Sequence, residues 1–157
     1  MEILSIQKAS ECSFSIDDET QPMAIHGGLI YWMLADYEHG FSLSVNTTVQ
    51  WGRYKGSTFS SCKLNVDAPL REVIETCENE ARQFLKKAHP GIVLKSSFYK
   101  DGWDVREDAK YDGPALSGLK PRERVKAVVR CGGVWVDPAK KAAKMRWLLT
   151  ELRRVQG

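Results

Sequence analysis

FSLSVNTTVQW, residues 41–51, is the stretch that decides the fold class. Its odd-numbered positions hold Phe41, Leu43, Val45, Thr47, Val49 and Trp51, and its even-numbered positions hold small polar residues. Such alternation places successive side chains on opposite faces of a strand, so that one face packs on a core and the other meets water. The stretch therefore predicts one long strand of an antiparallel sheet with one wet face.

Neighbouring stretches carry the same alternating signal. Residues 52–56, GRYKG, are typical of a turn, and residues 57–66 return as a second strand, which predicts a hairpin. Shorter strands are predicted for residues 12–16, 92–99 and 103–105. The apolar run 29–37 fits a buried strand or a short helix, because periodicity does not separate the two at this length.

A long amphipathic helix follows the hairpin, over residues 68–88. Asp67 is a suitable N-cap and Pro69 lies in the first turn, while His89-Pro90-Gly91 ends the helix. The core stripe at helical spacing consists of Leu70, Val73, Ile74, Cys77, Ala81, Phe84, Leu85 and Ala88.

The last third of the chain is predicted to be helical. Pro121 begins one helix that ends at Gly132-Gly133, and Asp137-Pro138 begins a final helix over residues 138–155. The whole chain, 1–157, is then one α+β domain. It has an antiparallel sheet of about four to six strands, one central helix and two C-terminal helices.

Charge is distributed unevenly along the chain. The C-terminal segment 121–157 holds ten Lys and Arg against three Asp and Glu, whereas residues 1–120 hold thirteen against seventeen. A basic segment on a slightly acidic body indicates a surface that meets an anionic partner.

The final predicted helix carries the candidate binding face. At helical spacing, Lys140, Lys144, Trp147 and Arg154 share its outer side, opposite the apolar stripe. Cations neutralise phosphates and an exposed ring stacks on an unpaired base, so this face predicts contact with nucleic acid. It equally fits the anchor of a protein interface. The structural alternative is that Trp147 packs beneath a neighbouring element, such as the hairpin at 92–105.

A second basic and aromatic group lies at the predicted hairpin tip. Arg53, Tyr54 and Lys55 occupy the turn, where side chains are exposed and build no core. They are predicted to bind the same partner if the tip lies beside the C-terminal segment, and otherwise they make a solubilising turn.

Known catalytic and cofactor motifs are not apparent, so neither a cofactor nor a metal is predicted. The four cysteines form no C-x-x-C pair and have no histidine at ligand spacing. An enzyme of unrecognised type remains an alternative. It would use His26 or His39 with nearby carboxylates, or the acidic group at 101–108.

No signal peptide or membrane span is apparent in the sequence, and a cytoplasmic location is expected. The leading hypothesis is a small non-catalytic protein that docks its basic, Trp147-bearing segment on nucleic acid or a nucleoprotein complex. Its size suits an accessory or inhibitory factor of the kind that phages and mobile elements encode. The alternative is a protein-protein adaptor or inhibitor that makes no contact with nucleic acid.

Overall fold

A computed structural model describes residues 3–11, 23–25, 29–32, 41–51, 61–99 and 102–155. The strands are β1 (Ile3–Ser5), β2 (Met23–Ile25), β3 (Leu29–Trp32), β4 (Phe41–Trp51), β5 (Ser61–Asn65), β6 (Val93–Leu94), β7 (Phe98–Tyr99), β8 (Gly102–Asp112), β9 (Arg124–Asp137) and β10 (Ala142–Arg154). The helices are α1 (Ile6–Ser10), α2 (Ala68–Ala88) and a short 3-10 turn, Leu116–Gly118. The protein is thus mixed α and β and consists mostly of sheet.

Five strands of the sheet close into a ring. β4 pairs with β5, β5 with β8, β8 with β10 and β10 with β9, and β9 returns to pair with β4. The β8–β10 contact is parallel, whereas the other four are antiparallel. The short strands β1, β2, β3, β6 and β7 add to the margins of this ring.

The core fills the inside of the ring and continues beneath α2. Alternate residues of the ring strands point inward, as Leu43, Val45 and Val49 of β4 do. The apolar stripe of α2, from Leu70 to Leu85, belongs to the same buried cluster. A closed ring leaves the outer faces of its strands to carry the polar side chains.

Helix α2 is confirmed as predicted. The Asp67 side chain accepts a hydrogen bond from the Leu70 backbone N–H at 3.0 Å, and the proline lies at the start of the helix. Burial of Val73, Ile74, Cys77 and Ala81 confirms most of the predicted stripe, whereas Ala88 at its end is exposed.

The two predicted C-terminal helices are wrong. Residues 124–137 and 142–154 form β9 and β10, a long antiparallel hairpin. The Asp137-Pro138 pair that resembles a helix start instead begins the hairpin turn: the Lys140 backbone N–H donates to the Asp137 carboxylate at 3.3 Å, and Lys141 has a positive φ of 52°. The spacing of the apolar residues fits a helix as well as a strand. Pairing with strands far away in sequence decides between the two.

Gly132 and Gly133 form a bulge and do not end a helix. The pairing with β10 shifts here, because Arg146 is opposite Gly133 and Trp147 is opposite Cys131. Gly133 has a φ of 132°, a backbone conformation that residues with a side chain rarely adopt. The extra residue keeps Val134 and Val136 buried in the core and turns the intervening Trp135 to the outside.

Other sequence predictions have mixed outcomes. The hairpin of β4 and β5 is confirmed, although its tip lies outside the described residues, as does the predicted strand 12–16. The run 29–37 contributes a strand, β3. β8 extends the predicted strand 103–105 as far as Asp112. The sheet contains more strands than the predicted four to six. Within the described ranges, no helix is long and apolar enough to cross a membrane.

Gly113 provides a test of how tightly the end of β8 packs. A Cβ added there would lie 2.6 Å from the Tyr111 hydroxyl oxygen and 2.7 Å from the Leu152 carbonyl oxygen. We expect Gly113→Ala to lower the free energy of unfolding by about 1–3 kcal/mol, the usual cost of overpacking. Chemical denaturation measures this change.

Gly118→Ala is the matched control, since a Cβ there meets nothing closer than the Arg154 guanidinium at 3.7 Å. Its effect should stay within about 0.5 kcal/mol, as for ordinary surface substitutions. Equal effects of the two substitutions would contradict the described packing of β8 against β10.

Candidate nucleic-acid interface

A cleft of about 480 Å³ opens on the outer side of β5, β8, β9 and β10. Its cationic side chains are Lys63, Lys95, Arg106, Lys144 and Arg146, and its aromatic side chains are Phe98, Tyr99, Trp135 and Trp147. Asp104 is the single carboxylate among the described lining residues, which otherwise include two serines, Met145 and Leu148. We call this set the basic-aromatic cleft.

Strand periodicity explains why these side chains converge. Residues 104 and 106 of β8 lie on its outer side and face Lys63 and Ser61 of β5 across the sheet. On β10, Lys144 and Arg146 lie outward between the buried residues Ala143, Met145 and Trp147. The segment 95–99 then passes beside both strands and adds Lys95, Phe98 and Tyr99 to the rim.

Trp135 forms one wall of the cleft under two guanidinium groups. The Arg146 guanidinium lies 4.7 Å from the ring centroid and that of Arg106 lies 5.8 Å away, within the range of cation-π attraction. The Trp135 indole N–H is buried and has no hydrogen-bond partner among the described residues. This wall presents stacked planar groups that carry positive charge.

Asp104 organises the cations on the opposite side. Its two oxygens receive the Lys63 ammonium at 2.8 Å and the Lys144 ammonium at 3.0 Å. Burial alone would raise the pKa of Asp104, but the hydrogen bonds and charges of Lys63 and Lys144 lower it below its ordinary value, so the carboxylate is ionised at neutral pH. Lys63 also lies over the Tyr99 ring, 5.3 Å from its centroid.

Trp147 lies in the floor of the cleft and is only 3 % exposed. Its indole N–H donates to the Ser97 hydroxyl at 2.8 Å, and its ring meets Trp103 edge to face with centroids 5.3 Å apart. The expectation of an outward-facing Trp147 is therefore wrong. The structural alternative applies, since its partners belong to the 92–105 segment.

A buried carboxylate of α2 holds this floor in place. Glu78 is 2 % exposed, and its side chain accepts a hydrogen bond from the Ser97 backbone N–H at 3.0 Å. Ser97 thus joins Glu78 to Trp147, and Arg82 lies 3.9 Å from the same carboxylate. The helix thereby positions the segment that forms the rim of the cleft.

The other predicted partner-binding residues lie in different parts of the structure. Lys144 lines the cleft together with Trp147, whereas Lys140 lies in the exposed turn between β9 and β10. Arg154 lies away from the cleft and donates hydrogen bonds to the Glu123 carboxylate and the Gly118 carbonyl. The predicted tip, Arg53, Tyr54 and Lys55, lies outside the described residues.

Sequence reasoning missed most of the cleft, including Lys63, Arg106, Trp135 and Arg146. The available signal was alternation: DVR at 104–106 and KMR at 144–146 place charges on one face of a strand. Helical spacing for residues 138–155 concealed the second of these patterns.

None of the described residues supports the alternative hypothesis of an enzyme. His26 and His39 lie outside them. In the described ranges, no group of three or more His, Cys, Asp or Glu residues is placed to hold a metal ion. Burial raises the pKa of Cys62 and of Cys131 to about 12, so these thiols stay protonated and act as core side chains.

Comparison with known proteins identifies no relative: no family model, curated protein or solved structure matches the chain.

The hydrogen bond from Trp147 to Ser97 is testable through stability. Ser97→Ala removes the acceptor of a buried indole N–H, and an unsatisfied buried donor costs about 1–3 kcal/mol. We therefore expect the unfolding free energy, measured by chemical denaturation, to fall by this amount.

Ser96→Ala is the neighbouring control. The Ser96 hydroxyl accepts from the Phe98 backbone N–H at 3.0 Å, but Ser96 is exposed and water can replace it. Its cost should stay below about 1 kcal/mol. A loss for Ser97→Ala no larger than that for Ser96→Ala would show that Ser97 does not anchor the floor.

Proposed function

We propose that this protein binds single-stranded nucleic acid in the basic-aromatic cleft, as a non-catalytic binding protein. The observation that carries this proposal is the convergence of five cationic and four aromatic side chains in one open cleft. The sequence-based hypothesis of an anionic partner is kept, while its binding surface moves from a helix face to the outer side of the five-stranded ring.

The charge of the cleft supports an anionic ligand. Five cations face one carboxylate, which leaves a formal excess of four positive charges among the lining residues. Lysine and arginine side chains that neutralise phosphates release condensed counterions, and this release supplies much of the affinity for nucleic acid. The chain as a whole carries only +3, so positive charge is concentrated here.

The aromatic residues support unpaired bases. Tyr99 is 52 % exposed at the rim, and Phe98 and Trp135 are each partly exposed. Bases of a single strand stack on such rings and on guanidinium planes, whereas a duplex hides its base faces. The cleft combines both features that single-strand binding requires, a cationic track and stacking surfaces.

The strand order of the ring supports the same proposal. It resembles that of OB-fold domains, five-stranded Greek-key structures that bind oligonucleotides on their second and third strands and on two loops, between strands 1 and 2 and between strands 4 and 5. In chain order β5 and β8 are the second and third ring strands, and both line the cleft. Residues 138–141 connect the fourth and fifth ring strands and carry Lys140. Architecture assigns no function by itself, so the side chains of the cleft carry the proposal.

The proposal is tested with an oligothymidylate titrated over a salt series. We expect affinity to fall steeply with salt, with a log-log slope of about −0.7 for each phosphate engaged. Arg106→Gln with Arg146→Gln should weaken binding and make the slope shallower by about 0.7 for each phosphate that is no longer engaged. Tyr99→Ala should cost about 1–3 kcal/mol, the value of one stacked base.

Lys86→Gln with Lys87→Gln is the control of equal charge, because both lysines are exposed near the end of α2 and neither lines the cleft. These two changes should leave affinity nearly unaltered. Equal losses of affinity in both double variants would show that the effect depends only on the net charge of the protein. Failure of the wild-type protein to bind, or tight capture of a protein partner with little salt dependence, would favour the protein-protein alternative.

A further inference from the structure

The Lys63–Asp104–Lys144 cluster joins two cations of the cleft to its carboxylate. One carboxylate holds two ammonium groups, one on each oxygen, at 2.8 and 3.0 Å. Lys63 is the cross-strand partner of Asp104 between β5 and β8, while Lys144 reaches it from β10. Three strands therefore converge on a single anion.

Stability does not explain this arrangement well. The Asp104 side chain is 24 % exposed and that of Lys144 is 48 % exposed, so water and salt screen this pair, whereas Lys63 is only 15 % exposed. The pair with Lys144 therefore contributes little to folding. Asp104 is also the only carboxylate among the described lining residues, so its charge is opposite to that of the other charged residues of the cleft.

Geometry suits the two lysines to a second kind of anion. A phosphate, like a carboxylate, offers two oxygens on one central atom and accepts charge-assisted hydrogen bonds from ammonium groups. The backbone N–H of Asp104 donates to the Ser97 carbonyl at 3.1 Å, so the strand stays in place when the carboxylate turns away from the lysines. The ammonium groups would then face the ligand.

We propose that Lys63 and Lys144 form a phosphate subsite that the Asp104 carboxylate occupies in the free protein and yields to a phosphate group of the ligand. This inference deepens the proposed function and rests on it for the identity of the ligand. Asp104 acts as a specificity-determining residue: it keeps the lysines in position and lowers the affinity of the cleft for isolated phosphates. A strand that also stacks its bases overcomes this competition.

The experiment compares Asp104→Asn with Asp108→Asn. Both substitutions remove one negative charge from β8, but Asp108 pairs with Arg130 at 3.4 Å and does not line the cleft. Each variant and the wild-type protein are titrated with an oligothymidylate and, separately, with inorganic tripolyphosphate. The second ligand carries phosphate without bases or sugar.

We expect Asp104→Asn to bind both ligands more tightly, by about five-fold at low salt, because one nearby like charge is removed. Its salt slope for the oligonucleotide should stay close to that of the wild-type protein, because the same phosphate is engaged in both complexes. Asp108→Asn should match the wild-type protein. Adding Lys63→Gln and Lys144→Gln to Asp104→Asn should abolish the gain.

Unchanged or weaker binding of tripolyphosphate by Asp104→Asn would overturn the subsite. If the wild-type protein binds no oligonucleotide while Asp104→Asn gains tripolyphosphate affinity, the proposed function fails and the subsite stands. If oligonucleotides bind and Asp104→Asn gains nothing, only the subsite fails.

Discussion

Backbone pairing between β9 and its neighbours is the constraint on which the rest of the structure depends. β9 pairs with β10 along one edge, and with β4 and then β3 along the other. These pairings close the five-stranded ring and commit the inner residues of every ring strand to one core. Since alternate side chains must point outward, the closure also decides which groups line the basic-aromatic cleft. The Gly132–Gly133 bulge then brings Trp135 to the wall of the cleft.

The cleft is an outer surface supported from within. Trp147 packs on Trp103 inside the core and donates to Ser97, whose backbone in turn donates to the buried Glu78 carboxylate of α2. This series of interactions links the helix, the 95–99 segment and β10. The arginine and lysine side chains of the cleft thereby project from a floor that buried contacts hold in place, and preorganisation of this kind lowers the entropic cost of binding.

The local features of the fold are readable from the sequence, and its long-range pairings are not. The alternation of 41–51 and the cap and stripe of α2 are local patterns, and both are confirmed. The apolar pattern of the segment 138–155 is ambiguous, because Met145, Leu149 and Leu152 fit a helical stripe as well as a strand face. Only pairing with β8 and β9 separates them. The prediction of the candidate site depends on the same ambiguity, because Lys144 and Trp147 share one face of a helix but lie on opposite sides of a strand.

An anionic single strand that lies across the Trp135 wall of the cleft is the core of the proposed function. Indole N–H resonances of the five tryptophans in a 15N-labelled protein measure this directly during titration with an oligothymidylate. We expect a large, saturable shift of the Trp135 resonance, while that of the fully buried Trp103 stays nearly fixed. A Trp135 resonance that does not move while backbone resonances of Arg124 and Lys126 shift would place the ligand elsewhere on β9 and contradict the proposal.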